Sequence, residues 1–327
     1  MLSSRRAFCF FSLPLLISLP ALAPRAQAQA DYPNRPVRLI VPIAAGQATD
    51  ILARLVADQL ARSLGQPFVV ENKAGAGTTI GTDFVAKAAP DGYTLVMATS
   101  AGFAVAPAIY ARLPYDPVRD LAPVTNVGLV IQTMVASRDA PFDNLQQFIA
   151  KAKSGAMNYA SAGNGSTSHL TTEMFLHQAG VPAVHVPFKG AAEAQPQLIG
   201  GQVQFMFDAL PAVLPQVRAG KLKVIGVGSA ERTPLLPEAP TLAEQGLKGF
   251  EAVGWIGLAA PAGTPPAVLD KLNQAVGRAM AMPEMQERLK ALSFTPAADT
   301  REHFGRFIAG EIGKWGQAAK NARIAPQ

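Results

Sequence analysis

Apolar positions along the chain follow two periods in alternation. Short β-branched runs give way to stretches in which apolar side chains recur every three or four residues, the mark of an α/β chain. Residues 37–43 read as a strand and 49–64 as a helix, because Ile51, Leu52, Leu55, Val56 and Leu60 share one stripe. Thr49 is placed to cap that helix and Gly65 to end it. A strand at 68–71, a helix at 79–88 and a strand at 94–99 follow, the last two joined by the turn Pro90-Asp-Gly92.

A second series starts with a strand at 131–136. Asp143 reads as the cap of a helix over 145–153, with Gln146 in the capping-box position. Strands at 157–160, 183–188, 203–207 and 223–227 then alternate with helices at 167–178, 191–199 and 211–219. A strand at 255–260 and a proline-started helix at 265–280 come next. The last helix, from about 300 to 322, carries Phe304, Phe307, Ile308, Ile312 and Trp315 on one face. There is no repeat of fixed period, no low-complexity linker and no membrane span.

Residues 1–30 stand outside this pattern. Arg5-Arg6, an apolar run from Phe8 to Leu22, and small residues ending Ala26-Gln-Ala28 or Ala28-Gln-Ala30 have the order of a cleavable export signal. The run is short for a membrane anchor and is broken by Pro14 and Pro20. Ser4-Arg5-Arg6-Ala7-Phe8 resembles the twin-arginine export pattern, although Cys9-Phe10 stands where Leu-Lys is typical, so both the general and the twin-arginine routes stay open. The expected location is the periplasm.

Cleavage changes the charge picture. It removes Arg5, Arg6 and Arg25 and no acid, so the formal net charge falls from +6 to +3. No Lys/Arg cluster is left to suggest nucleic acid. Cys9, the only cysteine, also goes, which excludes disulfides, cysteine nucleophiles and thiolate metal sites from the mature chain. The four histidines (His169, His177, His185 and His303) show no metal-ligand spacing, so neither metal nor cofactor is expected.

About 297 residues remain, enough for two domains. In open α/β sheets ligands bind beyond the carboxyl ends of the strands. Five loops meet that rule: 44–49, 100–103, 161–169, 188–191 and 208–210. They come from both halves of the chain and could face one another across a cleft.

Each loop has a plain structural reading beside a binding one. In 161–169, Gly163 and Gly165 allow positive φ, while Ser166, Thr167 and Ser168 add hydroxyls to the amides of a helix start, a receptor for a carboxylate or phosphate. The alternative is a capped turn, with His169 a local hydrogen-bonding residue. Pro42-Ile-Ala-Ala-Gly-Gln-Ala-Thr-Asp50 either lets a ligand lie against its backbone or is merely a capped helix start. Asp208 either binds a ligand donor or caps the next helix, and Lys189 either assists an anion or is a solvated loop lysine. Gly75-Ala-Gly77-Thr-Thr-Ile-Gly81 is one residue too long in its last spacing for a dinucleotide fingerprint. A triad of Ser166, His303 and Asp208 can be drawn on paper without support from spacing.

Read in order, these segments resemble a family: the Bug-type extracytoplasmic solute receptors, substrate-binding components of tripartite tricarboxylate transporters. The resemblance covers essentially the whole mature chain. It rests on Tyr32-Pro-Asn-Arg-Pro-Val-Arg-Leu-Ile-Val-Pro42, Gly46 to Asp50, Val70-Glu-Asn-Lys-Ala-Gly-Ala-Gly77 and Lys87-Ala-Ala-Pro-Asp-Gly-Tyr-Thr-Leu95. It continues in Leu113-Pro-Tyr-Asp-Pro117, Asn158-Tyr-Ala-Ser-Ala-Gly-Asn-Gly-Ser166, His185-Val-Pro-Phe-Lys-Gly190, Gly200-Gly-Gln-Val-Gln204, Phe207-Asp-Ala-Leu-Pro211 and Ala259-Ala-Pro-Ala-Gly-Thr-Pro265.

The resemblance implies a two-domain α/β fold of the type II periplasmic-binding-protein kind, closing on a small carboxylate. Domain 1 would comprise 31–127 and 253–327, and domain 2 would comprise 128–252, with crossings near 125–128 and 252–255. Ser161, Gly163, Asn164, Gly165, Ser166, Thr167 and Ser168 would hold one carboxylate. Ile43, Ala44, Ala45, Gly46, Gln47 and Thr49 would meet the distal part of the ligand. By the strand-end rule rather than by the resemblance, Ser100, Phe103, Phe188, Gly190 and Asp208 are expected to complete the site. The implied role is delivery to a membrane permease by a non-enzymatic, monomeric receptor, the alternative being a sensory or sequestering receptor. Where this family carries a run of glycines, Gln47 and Ala48 stand; where Asn is frequent, Ala209 follows Asp208. Phe103, with Ile43 and Phe188, would favour an aromatic or partly apolar carboxylate.

Overall fold

The computed structural model describes residues 32–321 and Ile324. The export-signal reading of residues 1–30, Cys9 included, lies outside the described residues.

Strand β1 (Val37–Val41) is an interior strand, buried at Val37, Leu39, Ile40 and Val41, and paired in parallel with β2 (Phe68–Asn72) and β3 (Thr94–Thr99). Helix α1 (Ala48–Leu64) lies between β1 and β2 in sequence, and α2 (Thr79–Ala86) between β2 and β3. Gly65 ends α1 with φ 76°, a left-handed conformation that glycine adopts without steric cost. After β3 the chain enters a π-helical turn (Ala101–Val105) and the short α3 (Ala106–Ile109), neither of which the sequence pattern announced.

One strand then joins both series of elements. The sequence predicts a strand at 131–136; the structure has β4 running from Leu121 to Ser137. Pro123, Asn126 and Gly128 hide its first part, since they break the alternation that marks a strand. Pairing with β9 (Val253–Pro261) shifts register between Pro123 and Thr125 and again between Asn126 and Gly128, so bulges absorb these residues. The Thr125 hydroxyl donates to the Asp299 carbonyl at 3.0 Å. Residues 121–131 of β4 pair with β9, whereas 132–137 pair with β7 (Phe205–Ala209) and β8 (Leu222–Val227).

Helix α4 (Leu145–Ser154) follows β4 and leads to β5 (Asn158–Ser161), α5 (Thr167–Ala179), β6 (Val184–Pro187) and α6 (Ala191–Ile199); α7 (Leu210–Arg218) joins β7 to β8. After β9 come α8 (Pro266–Ala281), α9 (Pro283–Ala291), the two-residue β10 (Thr295–Pro296) and α10 (Arg301–Asn321). The strand order is β2-β1-β3-β9-β4-β7-β5-β6, with β8 and β10 paired on β4.

Among the described residues, three apolar clusters lie against this sheet. Ile40, Val96, Phe103, Trp255, Phe304 and Trp315 lie in the first. Phe148, Phe175, Phe205, Phe207 and Phe250 form an aromatic layer on one side of β5 and β7, and Val135, Met206, Leu210 and Val213 lie on the other. Tyr159 and Phe205 are register partners in one cluster and Ala160 and Met206 in the other, which is the two-sided burial that parallel strands require.

Two cap assignments move, one by a single residue and the other by two. Asn144, not Asp143, caps α4, accepting from Gln147 N–H at 3.0 Å, while the Gln147 side chain accepts from Asp143 N–H at 2.7 Å. Gln146 instead donates to the Gln245 carbonyl. Thr49 lies inside α1, whose cap position is Gln47 without a side-chain bond.

Candidate functional site

The segment from Ser161 to His169 is folded chiefly by its own side chains. Ser166 caps α5: its Oγ accepts from His169 N–H at 3.2 Å and donates to the Gly163 carbonyl at 2.7 Å. Ser168 Oγ accepts from Ala162 N–H at 2.9 Å, and Ser161 Oγ accepts from Gly163 N–H at 3.1 Å. His169 Nδ1 accepts from Gly165 N–H at 3.1 Å, and Ser166 N–H is donated to the Gly163 carbonyl at 3.1 Å. Three amides therefore remain without a protein acceptor among the described residues: those of Asn164, Thr167 and Ser168. They surround the positive end of a thirteen-residue helix.

This bonding revises the expectation that every serine of the loop reaches a ligand. The hydroxyls of Ser161, Ser166 and Ser168 are engaged in holding the loop, and Thr167 carries the hydroxyl that is not. Gly165 has φ 71°, and a Cβ on it would lie 2.1 Å from Ile109 Cδ1. Gly163 has φ 123°, with a Cβ position 3.2 Å from the Phe188 carbonyl, and Phe188 N–H donates to the Ser161 carbonyl at 3.1 Å. The loop after β5 is thus packed on α3 and tied to the loop after β6.

Beneath it stand two histidines that no sequence spacing linked. The His169 and His185 rings stack at 3.9 Å with 10° between planes, and His185 stacks in turn on Tyr159 at 4.8 Å. His185 Nε2 lies 2.6 Å from Ser161 Oγ, and the Tyr159 hydroxyl bonds to Glu173. Burial pushes both imidazoles down to about 4, with each the other's near neighbour, so both are neutral at pH 7. The parallel register Tyr159↔His185 was the available signal, and it needs the β5–β6 pairing to be known first.

The loop after β1 is shaped by Asp50. Its carboxylate accepts from Gly46 N–H at 2.8 Å, from Arg54 at 3.0 Å and from Asn72 at 2.9 Å; Asn72 also donates to the Ile43 carbonyl at 3.0 Å. Burial raises the pKa of this 2 % exposed carboxyl, but the bonds from Arg54, Gly46 and Asn72 together hold it below the usual range. Ala44, Ala45, Gly46 and Gln47 are exposed, Ile43 and Thr49 half-buried.

The remaining expected residues divide. Ser100 is buried at the end of β3, and a Cβ on Gly254 of β9 would lie 3.4 Å from its Oγ. Phe103, 1 % exposed, packs edge-on against Trp255 at 6.0 Å and belongs to the core rather than to a ligand surface. Its part in an aromatic-selective pocket is thereby withdrawn. Phe188 is half-buried against the third cluster and Gly190 has φ 110°. Lys189 is exposed.

Asp208 falls inside β7, opposite Thr133, not after the strand as the pattern predicts. It does not cap α7 in the side-chain sense: Ala209 holds the cap position, and Asp208 accepts from Ala209 N–H at 2.8 Å and from Gln195 Nε2 at 3.3 Å. Burial pushes its carboxyl up to about 6. The paper triad is not assembled, because His303 is exposed on α10 and bonded to Asp299 at 2.8 Å. Among the described residues no group of three or more metal-ligating side chains gathers, and no helix is long and apolar enough to cross a membrane.

Comparison with known proteins gives a consistent result. Residues 52–323 match the family described as tripartite tricarboxylate transporter family receptor. The chain is similar to Rpa4515 of R. palustris, solved with adipate, at TM-score 0.84 and 34% identity over 90% of this chain and 100% of that one. It is similar to the periplasmic binding protein BugD at TM-score 0.80 and 38% identity, over 90% and 100% of the two chains. MatC from Rhodopseudomonas palustris, solved with bound malate, matches at TM-score 0.79 and 34% identity, over 88% and 99%.

Proposed function

The chain belongs to the tripartite tricarboxylate transporter receptor family, as a Bug-type solute receptor, and on that premise we propose that it captures a small organic carboxylate and presents it to a membrane permease. The observation that carries this reading is the trio of open amides at the start of α5. A carboxylate seated there accepts from Asn164, Thr167 and Ser168 N–H and from the Thr167 hydroxyl, with the helix dipole behind them and no lysine or arginine required. The exposed Ala44–Gln47 segment meets the distal end of the ligand, with Ser100 and Asp208 beyond.

Two lobes provide the cleft: 31–127 with 253–327, and 128–252. β4 and β9 carry the chain between them. The bound solute leaves chemically unchanged, in keeping with a family of receptors rather than enzymes. Residues 1–30 direct export to the periplasm, where the protein acts as a monomer.

Magnitudes are compatible. A micromolar receptor needs about −8 kcal/mol. Three or four bonds to a charged group, at roughly 1.5–3 kcal/mol each, reach that order before ordering and desolvation are subtracted. Calorimetry with a panel of mono-, di- and aromatic carboxylates, adipate and malate included, is the direct test. Saturable binding of a panel member supports the reading; heat of dilution alone across the panel refutes it. Labelled-ligand uptake by cells with and without the gene then decides between delivery and sequestration.

A further inference from the structure

Gly165 is buried, and its N–H is directed at an imidazole nitrogen instead of at solvent or a ligand. That bond places the His169 proton on Nε2, since Nδ1 must present a lone pair. The ring cannot turn away freely. It is stacked on His185, which is itself stacked on Tyr159 and 2.6 Å from the Ser161 hydroxyl. From the opposite side, Ile109 of α3 closes against Gly165.

We propose that His169 is the positioning residue of the anion loop: its Nδ1 takes up the Gly165 amide and so fixes the turn in which the Asn164, Thr167 and Ser168 amides stay free for a ligand. This rests on the carboxylate reading of that loop. Without the acceptor, a buried N–H has no partner and the turn must rearrange to find one. Protonation has the same effect, because a doubly protonated ring offers Nδ1–H to an N–H.

The surroundings hold the ring neutral. His185 from β6 and Tyr159 from β5 lie in its stack, with Glu173 bonded to Tyr159. Asp208 on the neighbouring β7 is engaged by Gln195 and Ala209, and Glu311 on α10, which packs on α5, is engaged by Trp315 and Lys314. Burial accordingly lowers the pKa of His169 to about 4.

The test pairs a ligand-free readout with a binding one on the full mature chain. In two-bond proton–nitrogen NMR spectra at pH 7.5, His169 is expected as the Nε2–H tautomer, with Gly165 N–H slow to exchange. His169→Phe, which keeps a ring in the stack but no acceptor, is expected to speed Gly165 exchange and to weaken adipate or malate binding by about tenfold or more. His169→Asn, whose Oδ1 can replace Nδ1, is expected to restore slow exchange and to bind within about threefold of wild type. A proton on His169 Nδ1 at pH 7.5, or slow Gly165 exchange in His169→Phe, overturns the positioning role. Should neither probe bind wild type, the carboxylate reading falls, while the NMR outcome still decides the role of His169.

Discussion

Gly165→Ala tests the packing of the anion loop directly. The native φ of 71° costs a residue with a Cβ about 1–2 kcal/mol. The new methyl would stand 2.1 Å from Ile109 Cδ1, so one of them must move. Overpacking of this kind costs about 1–3 kcal/mol, giving a loss of roughly 2–5 kcal/mol in all. Ile109→Val removes the obstructing Cδ1 and by itself costs about 0.5–1.5 kcal/mol. The double variant should then lose less than the sum of the singles by about 1 kcal/mol or more, because the clash is gone while the backbone cost stays. Urea denaturation of the four proteins supplies the cycle, and calorimetry supplies the effect on affinity. Additivity within about 0.5 kcal/mol would show that loop and α3 do not press on one another, and the account of the loop would fail with it.

Three further outcomes follow from the same geometry. Thr167→Asp puts a carboxylate at the first turn of α5, where it should stabilise the helix by about 0.3–1 kcal/mol yet weaken carboxylate binding by about a hundredfold or more; unchanged affinity would relocate the site. Asp50→Ala removes the acceptor shared by Gly46, Arg54 and Asn72, with an expected cost of about 2–3 kcal/mol in chemical denaturation and weaker ligand binding, whereas Ala44→Ser, on the exposed rim, should leave stability unchanged. The pH dependence of stability should be the balance of opposing groups. Asp208, raised from 3.8 to about 6, contributes fully below pH 4 and loses that contribution as pH rises through 6; the two histidines, lowered from 6.5 to about 4, contribute fully above pH 6.5 and lose it as pH falls. Asp208→Asn should therefore stabilise the protein above pH 6 by on the order of 2 kcal/mol and steepen its loss towards pH 4, and parallel denaturation profiles for the two proteins would refute the assignment.

Much of this was legible in the amino-acid pattern, and the failures have physical causes. Strands and helices with clean periods, such as β3 and α6, were found within a residue or two, as was Gly65 at the end of α1. The first half of β4 was hidden because bulges carry Pro123, Asn126 and Gly128, and only the pairing with β9 makes that stretch a strand. Asp208 was displaced into a strand because its burial among Gln195, Ala209 and Thr133 is a tertiary fact. The loop at 161–169 was recognised from glycines and hydroxyls, but not the direction of each hydroxyl. That depends on His169, and His169 is held by a ring sixteen positions away on a strand whose register no local pattern encodes.

The bulges in β4 reach further than the residues that form them. Each one resets which side of the strand the following side chains occupy, so the stretch entering between β7 and β8 inherits its phase from irregularities far upstream. Losing a single residue between 123 and 128 would turn Val135 toward the aromatic layer and Met134 away from it. An interior with no altered side chain would be scrambled by a deletion in the neighbouring half of the molecule.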